Sequence, residues 1–201
     1  MHDIRSGPHG DIMFELDKPS IRLVAGIRNR NGLEDFLQEY QANILVPHEL
    51  PAIMRAFRHT CRNETRDLIK LDKEIETVQI LKPFLPASRR VGNAQLKRLR
   101  PLRDHRVTQR YLRAVESGLA NGWHTTVYGL TLSVYSLPIL EGLISYERQT
   151  LLNFVHSVAR SLRMREVESG GIINDLTPFL PTKREDVLGE DEPTRAPPNV
   201  T

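Results

Sequence analysis

The chain has 201 residues, of which 39% are hydrophobic and 26% are charged, and its formal net charge at pH 7 is +3. These values are ordinary for a globular protein with one sizeable core or a compact pair of domains. A net charge this small does not by itself indicate a nucleic-acid-binding protein.

The cysteine count and the hydropathy of the sequence bear on disulfides, cellular compartment and membrane segments. The single cysteine, Cys61, excludes an internal disulfide. The first residues contain no apolar signal core, which predicts a cytoplasmic protein in a reducing compartment. The longest uncharged stretch, Thr125 to Leu140, is shorter than the roughly 20 residues of a membrane-spanning helix, so we expect no membrane segment.

Helical periodicity begins at residue 31 and continues for most of the chain. Residues 1–30 show no clean period, apart from "IRLVAGI" as a weak strand candidate, and are expected to be divergent and poorly ordered. Asn31 with Glu34 resembles a capping box that opens the first helix. Apolar stripes then predict further helices. The first of these is expected to start at Pro47, or later because Pro51 would fall within its first turns. The others are expected to start just before Leu68, at Ser88, just before Val107, at His124 and just after Pro138.

The stretch "GWHTTVYGLTLSVY" is apolar nearly all round, which is typical of a buried helix. We therefore predict an all-α fold, with a compact multi-helix domain over residues 31–177 packed around this central helix. Residues 178–201 are rich in Pro, Asp, Glu and Thr, which predicts a disordered tail.

The motifs of several enzyme and metal classes are missing from the sequence. It has no phosphate-binding loop, no CxxC pair, no HExxH motif and no nucleophile elbow. His59 and Cys61 are two residues apart and would point to different faces of a helix. Asp72 and Glu76 are interpreted as solvated charges on an exposed helix face. A helical enzyme with a pocket near His124 would lack both a nucleophile and a group to orient its base.

A basic stretch, Lys97 to Arg113, holds seven Lys or Arg residues and one acid. It could bind nucleic acid, but the only aromatic residue within it, Tyr111, belongs to an apolar stripe. A solvated basic face, or a contact for an acidic protein, is the favoured interpretation.

Two further patterns concern packing and contact. Gly129 and Gly142 lie inside predicted helices, where glycine costs about 1 kcal/mol relative to alanine. Their presence therefore favours a close approach of backbones, within the fold or across a dimer.

Tyr146, Asn153 and Arg160 are spaced by seven residues and share one helix face, which could bind a partner or be an ordinary helix surface.

Four segments, in this order and spacing, resemble the urease accessory protein UreF family. They are "GLEDFL" from Gly32, "LIKLDKEI" from Leu68, "PASRRVGNAQLKRL" from Pro86, and "HTTVYGLTLSVYSLPILEGLISYERQTLLNFVHSVAR" from His124 to Arg160. The match that they define, from Gly32 to Arg160, spans about two-thirds of the chain.

The resemblance implies an all-α, homodimeric chaperone without catalytic activity or a cofactor of its own. Such proteins bind UreD (also called UreH) and recruit the GTPase UreG, and the assembly delivers nickel to apo-urease. Nickel and GTP are then handled by the partners. Candidate partner-binding residues are Glu34, Arg89, Arg90, Tyr146, Asn153, Arg160 and Gly170, and candidate structural residues are Gly32, His124 and Gly129.

The chain departs from the family pattern at several positions. Asn29 and Arg30 stand where UreF proteins usually carry His-Ser, and Leu85 stands where an arginine is expected. Gly170 is the best candidate for the first glycine of the later Gly-Gln element. We expect His124 to hydrogen-bond a neighbouring group at the edge of the domain, in preference to binding nickel.

Overall fold

A computed structural model describes residues 24, 26–159, 162 and 171–172. These residues are largely helical, and none of them forms a strand, so the predicted all-α fold is confirmed. Val24, within the stretch considered as a strand, is helical and buried in the core. The predicted tail at 178–201 and most of the predicted N-terminal segment lie outside the described residues.

The helices follow one another with short connections. They are α1 (Arg30–Tyr40), a π-helix (Gln41–Glu49), α2 (Leu50–Cys61), α3 (Thr65–Thr77), a 3-10 turn (Gln79–Leu81), α4 (Leu85–Arg98), α5 (Arg106–Glu116), α6 (His124–Val134) and α7 (Ile139–Ala159). None of the helices in the described part of the chain is long and apolar enough to cross a membrane.

The start of α1 differs from the predicted capping box. Asn29, with extended backbone, is the N-cap, and its side chain accepts a hydrogen bond from the Gly32 N–H at 2.8 Å. The cap therefore lies two residues before Asn31, and Glu34 instead pairs with Arg30 at 2.7 Å. Asn29, which departs from the family pattern, therefore accepts a hydrogen bond from one of the free N–H groups at the start of the helix.

The second helix begins at Leu50, later than Pro47, as the position of Pro51 had allowed. The π-helix carries the chain through Pro47, so α1, the π-helix and α2 run without a break from Arg30 to Cys61. A proline cannot donate to the residue four before it, and the wider turn of a π-helix is one way to accommodate the missing hydrogen bond. Similarly, α4 begins at Leu85, before the predicted Ser88, because Pro86 suits the first turn of a helix.

Helix α6 is the centre of the domain, as predicted. Nine of its eleven residues are buried. It packs most extensively against α2 and next against α4, while α7 covers a further side. The predicted close approach at Gly129 occurs within the fold: a Cβ built there would lie 2.8 Å from Ala56 Cβ and 3.0 Å from Phe57 N on α2. At Gly142 no backbone approach is seen: the nearest atoms that a Cβ there would meet belong to the Leu132 side chain.

Candidate partner-binding surface

The beginning of α6 is held by a buried carboxylate. Asp72 on α3 is fully buried. Its oxygens accept hydrogen bonds from the backbone N–H groups of Asn121, Gly122 and Trp123, the last two at 3.2 Å. The Tyr111 hydroxyl donates to the same carboxylate at 2.7 Å. The interpretation of Asp72 as a solvated charge is therefore wrong. Its carboxylate is the acceptor for backbone N–H groups just before α6, which have no carbonyl acceptor within the helix.

Helix α4 is fixed to the same point of the fold. The Trp123 indole N–H donates to the Asp72 carbonyl at 2.6 Å, and the His124 N–H donates to Ser88 Oγ at 2.9 Å. A Cβ built on Gly92 would lie 2.7 Å from His124 N, so α4 approaches this backbone as closely as a glycine allows. The position of α4 on the surface is consequently set by rigid, buried contacts.

His124 lies in the interior, and not at the edge of the domain as the sequence suggested. Its side chain is 1% exposed. Its ring lies 5.4 Å from the Tyr146 ring and 5.9 Å from the Tyr128 ring, measured between centroids. Burial lowers the pKa of the imidazole from its ordinary 6.5 to about 3, so the ring is neutral at physiological pH. The contacts of His124 are those of a core residue that packs the start of α6.

A second buried carboxylate lies beside this aromatic group. Glu49, at the end of the π-helix, is 8% exposed and accepts a hydrogen bond from the Tyr40 hydroxyl at 2.8 Å. Burial raises the pKa of Glu49 from 4.5 to about 7, against the lowering effect of hydrogen bonds from Tyr40 and Tyr146. This pKa gives the interior a group that titrates near neutrality.

We expect the free energy of unfolding to fall as the pH rises from about 4.5 to about 7. In that range the folded protein keeps the Glu49 proton, and the unfolded chain has lost it. A shift of this size corresponds to roughly 3 kcal/mol. The Glu49→Gln variant should lack this decline, and urea unfolding at several pH values measures it. The lowered pKa of His124 makes its contribution to stability change with pH in the opposite direction. The variant is therefore compared with the parent at each pH, so that the contribution of His124 is the same in both.

The matched control for this measurement is Glu39→Gln, on the exposed side of α1. It should decline with pH as the parent does. An identical pH profile for Glu49→Gln and the parent would show that Glu49 ionises normally in the folded protein.

The exposed side of α4 forms a basic cleft. The cleft has a volume of about 560 Å³ and is lined by Pro86, Arg89, Arg90, Asn93, Ala94 and Lys97. Its three charged side chains are all cations, and all three are exposed. Asn93 joins this face to the loop before α6, because its side-chain amide donates to the Asn121 carbonyl at 2.9 Å. We call this surface the α4 basic cleft.

The comparison with known families decides the class of the protein. The family model for UreF matches residues 27–176, which is most of the chain. The chain belongs to the UreF family. No curated protein matches it. UreF proteins are urease accessory proteins, an accessory class and not a class of catalysts, and the all-α architecture agrees with that assignment.

The candidate residues of this UreF protein lie in different environments. Arg89 and Arg90 are exposed in the α4 basic cleft, as a partner contact requires. Glu34 is partly exposed on α1 and pairs with Arg30. The Gly32 backbone N–H donates to the N-cap Asn29, and a Cβ at position 32 would lie 3.2 Å from the accepting Asn29 oxygen. Arg160 and Gly170 lie outside the described residues.

The predicted contact face on α7 is corrected at Tyr146. Its side chain is 3% exposed and belongs to the aromatic group around His124, so it cannot contact a partner in this conformation. The hydrophobic side of α7 packs against α2, α1 and α6, and position 146 falls on that side. Asn153, one heptad later, is partly exposed and lies near Gln149, whose amide donates to it at 3.4 Å.

The basic stretch from Lys97 to Arg113 is divided between surface and core. Arg100 pairs with Glu116 on α5. Tyr111, the one aromatic residue of the stretch, is fully buried against Asp72 and cannot stack on a base. Binding of nucleic acid by this stretch would therefore have to use contacts with the phosphates alone.

A group that the sequence patterns did not reveal lies where α2 meets α3. His59, Glu64 and Asp67 each offer one ligand atom, and these atoms lie within 4.8 Å of one another. In the sequence, the only potential ligand considered beside His59 was Cys61, which was expected on a different helix face. Spacing did not point to Glu64, because only the turn between the two helices brings the carboxylates to the imidazole. The spacing of the two carboxylates by three residues at a helix start was the available signal.

Proposed function

We propose that this protein is a urease maturation chaperone that acts as a non-catalytic platform. In this proposal it binds UreD (UreH), recruits the GTPase UreG and promotes the delivery of nickel to apo-urease. The match of the UreF family model to residues 27–176 is the observation that carries the proposal.

The α4 basic cleft is the proposed contact for an acidic partner surface. Arginine presents a planar fork of donors that suits carboxylates, and Arg89 and Arg90 are adjacent on the exposed side of α4. Gly92, on the opposite side of the helix, holds α4 against the backbone at the start of α6. A partner that binds here would therefore meet a surface that needs no rearrangement.

A homodimer remains part of the proposal. Leu140 and Ile144, four residues apart on α7, are 44% and 37% exposed, and Tyr135 at the end of α6 is 49% exposed. Apolar side chains at this exposure are what a second copy could bury.

The test of the function is genetic and biochemical. Deletion of the gene should abolish urease activity, and either the gene or excess nickel should restore it. The purified protein should capture UreD. Normal urease activity in the deletion strain, or a folded protein that never captures UreD, would rule the proposal out.

Charge reversal tests the α4 basic cleft. The Arg89→Glu, Arg90→Glu double variant should reduce co-purification of UreD at least about tenfold, because each lost charge-assisted hydrogen bond contributes about 1.5 kcal/mol or more. The fold should be unaffected, since both side chains are exposed. Lys73→Glu, an exposed charge reversal on α3, is the matched control. Equal capture of UreD by the double variant and by Lys73→Glu would show that the α4 basic cleft is not part of the interface.

A further inference from the structure

One imidazole and two carboxylates converge at the corner between α2 and α3. The Nδ1 atom of His59 lies 2.8 Å from a carboxylate oxygen of Glu64. Asp67, three residues further on and in the first turn of α3, brings its own oxygen within the same 4.8 Å group. His59 and Glu64 are partly exposed and Asp67 is exposed, so an ion in solution can reach all three.

The backbone holds these side chains on two fixed helix ends. After α2, the Asn63 N–H donates to the Thr60 carbonyl at 3.0 Å, and the Glu64 N–H donates to the His59 carbonyl at 2.8 Å. Asn63 has a φ of 58°, which turns the chain directly into α3. The ligand residues therefore come from a tight connection whose backbone bonds are already made, and binding needs only side-chain rotation.

Charges of both signs surround the site. Two carboxylates meet one imidazole, and the carbonyl end of α2 adds partial negative charge, whereas the N-terminal end of α3 adds partial positive charge. Three arginines, Arg58, Arg62 and Arg66, are neighbours in the sequence, and they are the charges that a bound ion must compete with.

We propose that His59, Glu64 and Asp67 bind a divalent first-row transition-metal ion. One imidazole nitrogen and two carboxylate oxygens are its protein ligands, and water or another molecule completes the coordination. In the hydrogen bond to Glu64 the imidazole proton lies on Nδ1. When Nδ1 binds the metal, the neutral ring carries its proton on Nε2 instead, and the Nδ1 lone pair is the ligand. The imidazole ligand favours ions such as Zn²⁺ and Ni²⁺ over Mg²⁺ and Ca²⁺, which prefer oxygen.

This proposal does not depend on the function proposed above, because it rests on the three side chains and their geometry. Loss of the metal site would leave capture of UreD unaffected. Failure to capture UreD would likewise leave the metal site intact.

The test is metal titration of the full chain. Chelator-treated protein is titrated separately with Zn²⁺, Ni²⁺ and Mg²⁺ by calorimetry, and the parent should bind Zn²⁺ or Ni²⁺ in preference to Mg²⁺. His59→Ala, Glu64→Gln and Asp67→Asn should each weaken that binding by at least about tenfold. Glu64→Gln and Asp67→Asn keep side-chain shape, and circular dichroism confirms that the variants are folded.

The matched control is His105→Ala, which removes an exposed histidine from the loop before α5. It should bind as the parent does. A second readout is thermal unfolding, in which the ion should raise the midpoint of the parent and of His105→Ala but not of His59→Ala. Unchanged affinity in all three ligand variants, or an equal loss in His105→Ala, would overturn the site.

Discussion

The Asp72→Ala variant is expected to lose most of the stability of the domain. The substitution leaves three backbone N–H groups and the Tyr111 hydroxyl without their acceptor in the interior. Each buried donor left unsatisfied costs roughly 1–3 kcal/mol, so we expect a loss of about 4 kcal/mol or more. A typical domain has only about 5–15 kcal/mol in total, and the variant should unfold at a much lower urea concentration.

Asp72→Asn provides a milder measurement if the alanine variant does not fold. It keeps one oxygen as an acceptor but turns an amide N–H₂ towards a backbone donor, so we expect a loss of about 2 kcal/mol. Glu76→Gln is the matched control, because Glu76 is exposed and, among the described residues, accepts from the Asn121 side chain alone, at 3.1 Å. It should change stability by less than about 0.5 kcal/mol. Equal unfolding midpoints for Asp72→Asn and Glu76→Gln would mean that Asp72 does not hold the start of α6.

The Gly129→Ala variant should also be strongly destabilised, although alanine is the better helix former. Its added methyl group would meet the Ile53 carbonyl oxygen, Ala56 Cβ at 2.8 Å and Phe57 N at 3.0 Å. Two of these atoms belong to the α2 backbone and cannot rotate away, so the two helices must separate. We expect a loss of about 3 kcal/mol, at the upper end for overpacking, even after the gain of about 1 kcal/mol in helix propensity.

Gly26→Ala is the matched control for this effect. A Cβ at position 26 meets no atom within 4 Å. Its unfolding midpoint should match the parent within error, whereas that of Gly129→Ala should fall clearly. A Gly129→Ala protein as stable as the parent would show that α2 and α6 are further apart than described.

The sequence predicted the helices well because an amphipathic stripe reports directly on the side that is buried. The stripe through Leu68, Leu71 and Ile75 became α3, and the nearly all-apolar run from His124 became the central helix. Helix ends were predicted less well. The cap is Asn29 and not Asn31, and Pro47 lies inside a continuous helix. Both outcomes depend on local hydrogen bonds, which more than one sequence position could have made.

The polar interior could not be predicted from spacing. Asp72 lies one residue after Leu71 on α3, and only the docking of α5 and of the loop before α6 converts it from a surface acid into a buried acceptor. Tyr146 was assigned to a contact face by its heptad spacing with Asn153, but α7 is rotated so that this tyrosine packs near His124. The metal-site candidate likewise requires the turn that brings Glu64 to His59.

The sequence by itself determined the helical class, the central helix and, through ordered motifs, the UreF family. These depend on local periodicity and residue identity, which the chain carries without reference to its folded neighbours. The tertiary structure decided which polar groups are buried, which cations share the α4 basic cleft, and which side chains could reach a common ion. Those properties depend on distances between helices, and the packing of the whole domain sets them.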